Sequence, residues 1–165
     1  MPRPRSPATD AAHALVAVAP LVTRWIERLL GGTDPPLTVP QYLALRSIAR
    51  EQVSGSELAR RTGVSEPAVS QLLAGLAGGG LIERSPAADD RRRLELTLSD
   101  AGRDVLDAAE STLRARVSTL LADLPRPESD ALSRALPQVE ALLAGTEPPR
   151  RPSPPPRPPH HERRR

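Results

Sequence analysis

The chain has 165 residues, with 23 Arg, no Lys, 20 acids, 20 Pro, no Cys, no Phe, and Trp25 and Tyr42 as its only aromatic side chains. The lack of Cys excludes disulfides, thiolate metal sites and thiol-based redox sensing, and no apolar run approaches the roughly 20 residues of a membrane span. The net charge of +3 divides unevenly: residues 148–165 hold six Arg against Glu162, a net +5, while the other 147 residues hold 17 Arg against 19 acids, a net −2, so a polyanion-binding surface in the body needs placement of charge rather than excess.

Residues 1–9 lack a continuous apolar signal core and read as a disordered leader to a soluble, cytoplasmic chain. From there to residue 30, Leu15, Val18, Val22, Trp25, Ile26 and Leu29 recur at helical spacing, with Pro20 expected to kink the helix. Thr38-Val39-Pro40-Gln41 has the form of a capping box, with Leu37 as a staple before it, and predicts a helix to about Arg50. Ser54-Gly55-Ser56-Glu57 repeats that form before a short helix stopped by Gly63. Two short capped helices followed closely by a third make a helix-turn-helix pattern.

The third helix opens at Ser65 as N-cap and turns Val69, Leu72, Leu73 and Leu76 inward. Glu66, Pro67, Ser70, Gln71, Ala74 and Gly75 are left on its outer face, and Gly78-Gly79-Gly80 ends it. Leu81–Arg84 and the alternating Leu94, Leu96 and Leu98 predict two strands, so that Asp89-Asp90-Arg91-Arg92-Arg93 lies on the loop of a β-hairpin. Ser99 caps a long helix carrying Leu106, Ala109, Leu113, Val117, Leu120 and Leu124, and a last helix over about 127–144 contains Pro137, which should bend or break it. Residues 148–165, with eight Pro, read as a disordered basic tail.

The fold class is therefore mainly α with a small β-hairpin, a helix-turn-helix core over about 37–98 flanked by helices at 10–30 and 99–145. Those terminal helices are too apolar to stand alone, and a homodimer through them is the economical arrangement. The chain shows no nucleophile–base pair, no Gly-rich phosphate loop and no clustered carboxylates, so an enzyme is not expected, nor a cofactor. His13 is the only His before the tail, which argues against a metal site.

Leu76-x-x-x-Gly80-Leu81-Ile82-x-Arg84, together with Asp90-Arg91-Arg92 and Leu98-Ser99-x-x-Gly102, resembles the MarR family of winged helix-turn-helix transcription factors over roughly residues 10–147. The resemblance implies a homodimeric repressor on a pseudo-palindromic operator, with a recognition helix in the major groove and a wing reaching the minor groove. It assigns Ser65, Glu66, Ala68, Ser70 and Gln71 to the DNA-facing side of the helix, and Asp90, Arg91, Arg92 and Arg93 to the wing, where Asp90 holds Arg92 in place. Arg60 and Arg61 either bind phosphates or complement the helix terminus they follow. The family's small aromatic or lipophilic effectors imply a crevice for which His13, Trp25 and Tyr42 are the candidate markers, core packing being their other use. The competing function is a winged-helix dimer that contacts proteins without specific DNA binding.

Overall fold

The computed structural model describes residues 6–50, 54–62, 64–86 and 94–144, with the backbone alone at 56, 60–62, 86, 94 and 144. Its elements run α1 (Pro7–Leu30), α2 (Val39–Arg50), α3 (Gly55–Thr62), α4 (Glu66–Gly78), β1 (Ile82–Pro86), β2 (Leu94–Leu98), α5 (Asp100–Leu121) and α6 (Arg126–Ala144). This is the order the sequence predicts, a winged helix-turn-helix between long terminal helices. Gly63, the wing tip 87–93 and the tail from 145 onward lie outside the described residues, as do positions 1–5.

The starts of the helices are written in their caps. At α2 the Thr38 N–H donates to Gln41 Oε1 at 2.9 Å and the Gln41 N–H donates back to Thr38 Oγ1 at 3.3 Å, a reciprocal box that satisfies two otherwise orphaned donors. Leu37 is buried beneath it. At α3 the Glu57 N–H donates to Ser54 Oγ at 3.2 Å. We expect Thr38→Ala to lower the unfolding free energy by about 1 kcal/mol, read from the urea midpoint. An unchanged midpoint would show that the box does not hold α2.

One expectation needs correction. The helix α1 begins at Pro7, not after a disordered stretch of nine residues: Ser6 takes the N-cap position and its Oγ accepts from the Thr9 N–H at 3.3 Å, with Pro7 in the first turn where it has no N–H to waste. The helices run unbroken through Pro20 and Pro137. Both prolines sit in solvent-facing stretches, where water can take the carbonyl that a ring nitrogen leaves without a donor.

The core is aliphatic and lies among α2, α3, α4, the hairpin and the near ends of α1 and α5. Leu30, Leu45, Leu58, Val69 and Leu76 are its most enclosed side chains. Antiparallel pairing of Ile82 with Leu98 and of Arg84 with Leu96 puts these four residues on one face of the hairpin, and Ile82, Leu96 and Leu98 are buried there. Along α5, Leu106 and Ala109 are buried and Leu113 half-buried, but Leu120 is 61% exposed. In α1 the gradient runs the other way, from Val16 at 74% exposed to a buried Leu30. The helix α6 makes only slight contact with the other elements, marked by Arg50 Nη1 at 3.8 Å from Glu140 Oε1.

Candidate nucleic-acid interface

The recognition helix α4 is amphipathic in the sense a DNA reader requires. Val69, Leu73 and Leu76 face the core, while Ser65, Glu66, Pro67, Ala68, Ser70, Gln71, Ala74 and Gly75 are exposed. Among the described residues no partner engages the side chains of Ser70 and Gln71. Their hydroxyl and carboxamide are therefore available to base edges or phosphates. Ser65 has the extended backbone of an N-cap, with φ −64° and ψ 146°, yet its hydroxyl makes no capping bond. Pro67 removes one of the two N–H groups such a hydroxyl normally serves, so the Ser65 oxygen stays open at the positive end of the helix.

Arg84 is a residue the sequence reading left out of the interface. It lines a groove of about 270 Å³ with Glu66, Val69, Ser70, Leu73 and Leu96, setting an exposed guanidinium beside the first turns of α4. The signal was present in the strand period: Arg84 follows Ile82 by two, which puts it on the face turned toward α4. The groove sets the Arg84 guanidinium, the Ser70 hydroxyl and the Glu66 carboxylate above an aliphatic wall.

Asp90, Arg91, Arg92 and Arg93 lie outside the described residues, as do the side chains of Arg60 and Arg61. What the structure fixes is the hairpin base: Pro86 pairs with Leu94, so residues 87–93 link the two strands.

His13, Trp25 and Tyr42 are not brought into one crevice within the chain. Twelve residues of continuous helix separate His13 from Trp25, about 18 Å along the axis. His13 is exposed, whereas Trp25 is half-buried and lines a groove of about 810 Å³ between α1 and α5 with Val18, Leu21, Val22 and Leu120. Tyr42 stands on α2, half-buried among charges. Burial pushes its phenol above the usual range, Arg46 opposes that and Glu110 reinforces it. The Glu110 carboxylate lies between two guanidiniums, with Oε1 3.6 Å from Arg46 Nε and Oε2 3.7 Å from Arg114. Among the described residues no three His, Cys, Asp or Glu side chains are grouped to hold a metal ion, and no helix is long and apolar enough to cross a membrane.

Comparison with known proteins agrees with this geometry. A sequence profile described as MarR family matches residues 36–93. The HTH-type transcriptional repressor Rv2887 of Mycobacterium tuberculosis is 32% identical over 101 residues, which cover 61% of this chain and 73% of that protein. Its crystal structure in complex with salicylic acid superposes with a TM-score of 0.65 at 27% identity, over 78% of this chain and 94% of that one. The HTH-type transcriptional regulator Mb0904 of Mycobacterium bovis is 30% identical over 137 residues, 81% of this chain and 96% of its own length. The crystal structure of Rv1404 from Mycobacterium tuberculosis reaches a TM-score of 0.73 at 26% identity, over 90% of this chain and all of that one. With its winged helix-turn-helix and with relatives matched along most of their length, the chain belongs to the MarR family of DNA-binding transcriptional regulators, which are not enzymes.

Proposed function

We propose that the protein is a homodimeric repressor that binds a pseudo-palindromic operator and is released by a small aromatic or lipophilic effector. One observation carries the reading: the exposed polar face of α4 and the bare apolar faces of α1, α5 and α6 are carried by different elements of the same chain. A reading surface and a separate pairing surface are what a two-fold symmetric site demands. In this reading Gln71 makes a bidentate contact to adenine, the Ala68 methyl meets a thymine methyl, and Ser65 and Ser70 bond to phosphates or bases. Glu66 shapes the first turn beside them. Asp90 and Arg92 reach the adjacent minor groove, Arg91 and Arg93 add to the local field, and Arg60 and Arg61 hold phosphates.

The effector reading draws support from Rv2887, solved with salicylic acid. The groove beside Arg84 and the wider groove beside Trp25 each offer an apolar wall with a guanidinium near it. Between residues 55 and 98 there are six Arg and six acids, so few phosphate contacts per subunit are expected and affinity depends on doubling by the dimer.

Selection of genomic fragments by the purified protein, followed by a salt titration, tests the function. We expect an inverted repeat with half-sites about 10 bp apart, centre to centre. Retention of every fragment alike at all salt concentrations would overturn the regulator reading in favour of a protein-contact module.

A further inference from the structure

The last turn of the recognition helix and the first turn of α5 meet at one peptide group. At the end of α4 the chain closes a Schellman motif: Gly80 takes φ +70°, its N–H donates to the Ala77 carbonyl at 3.0 Å, and the Leu81 N–H donates to the Leu76 carbonyl at 2.9 Å. Gly80 is needed at that position, since a side chain rarely adopts such a φ. Leu76 and Leu81 are both buried and supply the apolar contact that accompanies the motif. The N–H side of Leu81 is thereby fixed to α4.

The carbonyl side of Leu81 is fixed to α5. The Ser99 N–H donates to the Leu81 carbonyl at 3.2 Å, and the Ser99 hydroxyl donates to the Gly80 carbonyl at 2.6 Å. The same hydroxyl accepts from the Gly102 N–H at 3.0 Å, so one oxygen both caps α5 and grips the end of α4. Gly102 is buried against the Leu81 carbonyl, and a Cβ there would overlap the carbonyl oxygen and stand 2.9 Å from its carbon. Backbone atoms cannot move aside as the end of a flexible side chain can.

We propose that Ser99 and Gly102 are positioning residues that set the separation of the two recognition helices, and so the operator spacing the dimer accepts. The proposal rests on the dimeric operator reading and adds to it the residues that act as the ruler. The helix α5 packs mainly on α1, α2 and β2. The tie through Leu81 therefore fixes the direction of α4 on a lobe already docked to the dimer helix. Loosening it leaves base recognition at each half-site intact and widens the range of separations the pair can span.

The test measures binding of the full-length dimer to a panel of DNAs carrying the selected half-sites at the preferred spacing and at spacings one and two base pairs longer or shorter. Each added pair moves a half-site by about 3.4 Å and turns it by about 34°. We expect the wild type to lose about tenfold in affinity for the first added pair, against about threefold or less for Ser99→Ala, with Ser99→Thr restoring the wild-type profile. Gly102→Ala should move the preferred spacing itself. If that variant does not fold, Ser99→Ala and Ser99→Thr decide alone. A wild-type spacing profile in folded, dimeric Ser99→Ala would overturn the proposal while leaving the operator reading standing. A flat profile in the wild type would instead overturn the dimeric operator reading, and the proposal with it.

Discussion

We expect Leu136→Glu combined with Leu143→Glu to turn the proposed dimer into a monomer at micromolar concentration and to lower operator affinity at least hundredfold, equivalent to about 2.7 kcal/mol. In the isolated chain these side chains are 56% and 65% exposed on α6, so carboxylates there disturb little of the monomer's own packing. Across a dimer interface the same positions would be enclosed. Each Leu then contributes about 1.5–3 kcal/mol by burial, and an unpaired carboxylate in its place adds a desolvation penalty. Sedimentation gives the mass, and circular dichroism verifies that helix content is kept. A variant that remains dimeric with unchanged operator affinity would mean that α6 takes no part in pairing.

The second large effect belongs to the wing. Arg92→Ala should weaken operator binding about tenfold or more, about 1.4 kcal/mol, and leave the dimer mass and melting temperature as they are. A narrow minor groove concentrates negative potential and favours an inserted guanidinium. An Arg on a loop loses rotamer freedom when it docks, and a neighbouring carboxylate such as Asp90 offsets that loss by holding it beforehand. The near-neutral lobe makes the effect large, because few other cations are available to compensate. Equal affinities for variant and wild type would reduce the charged loop to a solvated turn.

The fold was legible in the sequence wherever a local signal had one structural meaning. Thr38 and Gln41 could be read as a capping box because their side chains serve each other's backbone whatever packs around them. The alternation of Leu96 and Leu98 with Glu95 and Thr97 gave the strand and its buried face. Where the outcome depended on surroundings, the sequence said less. Pro20 and Pro137 lie in helices that run unbroken past them, in stretches open to water. Residues 7–9 looked like a continuation of a Pro- and Arg-rich leader, although Ser6 before Pro7 already carried the mark of a helix start.

The candidate site divides in the same manner. The exposed face of α4 followed from the positions of Val69, Leu73 and Leu76, since a helix that buries three such residues must turn Ser70 and Gln71 outward. Arg84 escaped because its value lies in where the hairpin register aims it, beside Glu66 and Ser70 from another part of the chain. The contact between Gly102 and Leu81 was equally hidden, being a matter of two backbones meeting across 21 positions. His13, Trp25 and Tyr42 were grouped by residue type alone, and distance along α1 separates the first two.

Trp25 has a practical consequence of its own. It is the sole indole of the chain, half-buried where α1 faces α5, and neither α4 nor the hairpin carries any aromatic ring. Excited at the red edge of the indole band, where the Tyr42 phenol does not absorb, the protein's fluorescence is therefore a one-site signal from the groove between the long helices. Light emitted there would report whether an event at α4 is felt in that groove, with no label attached.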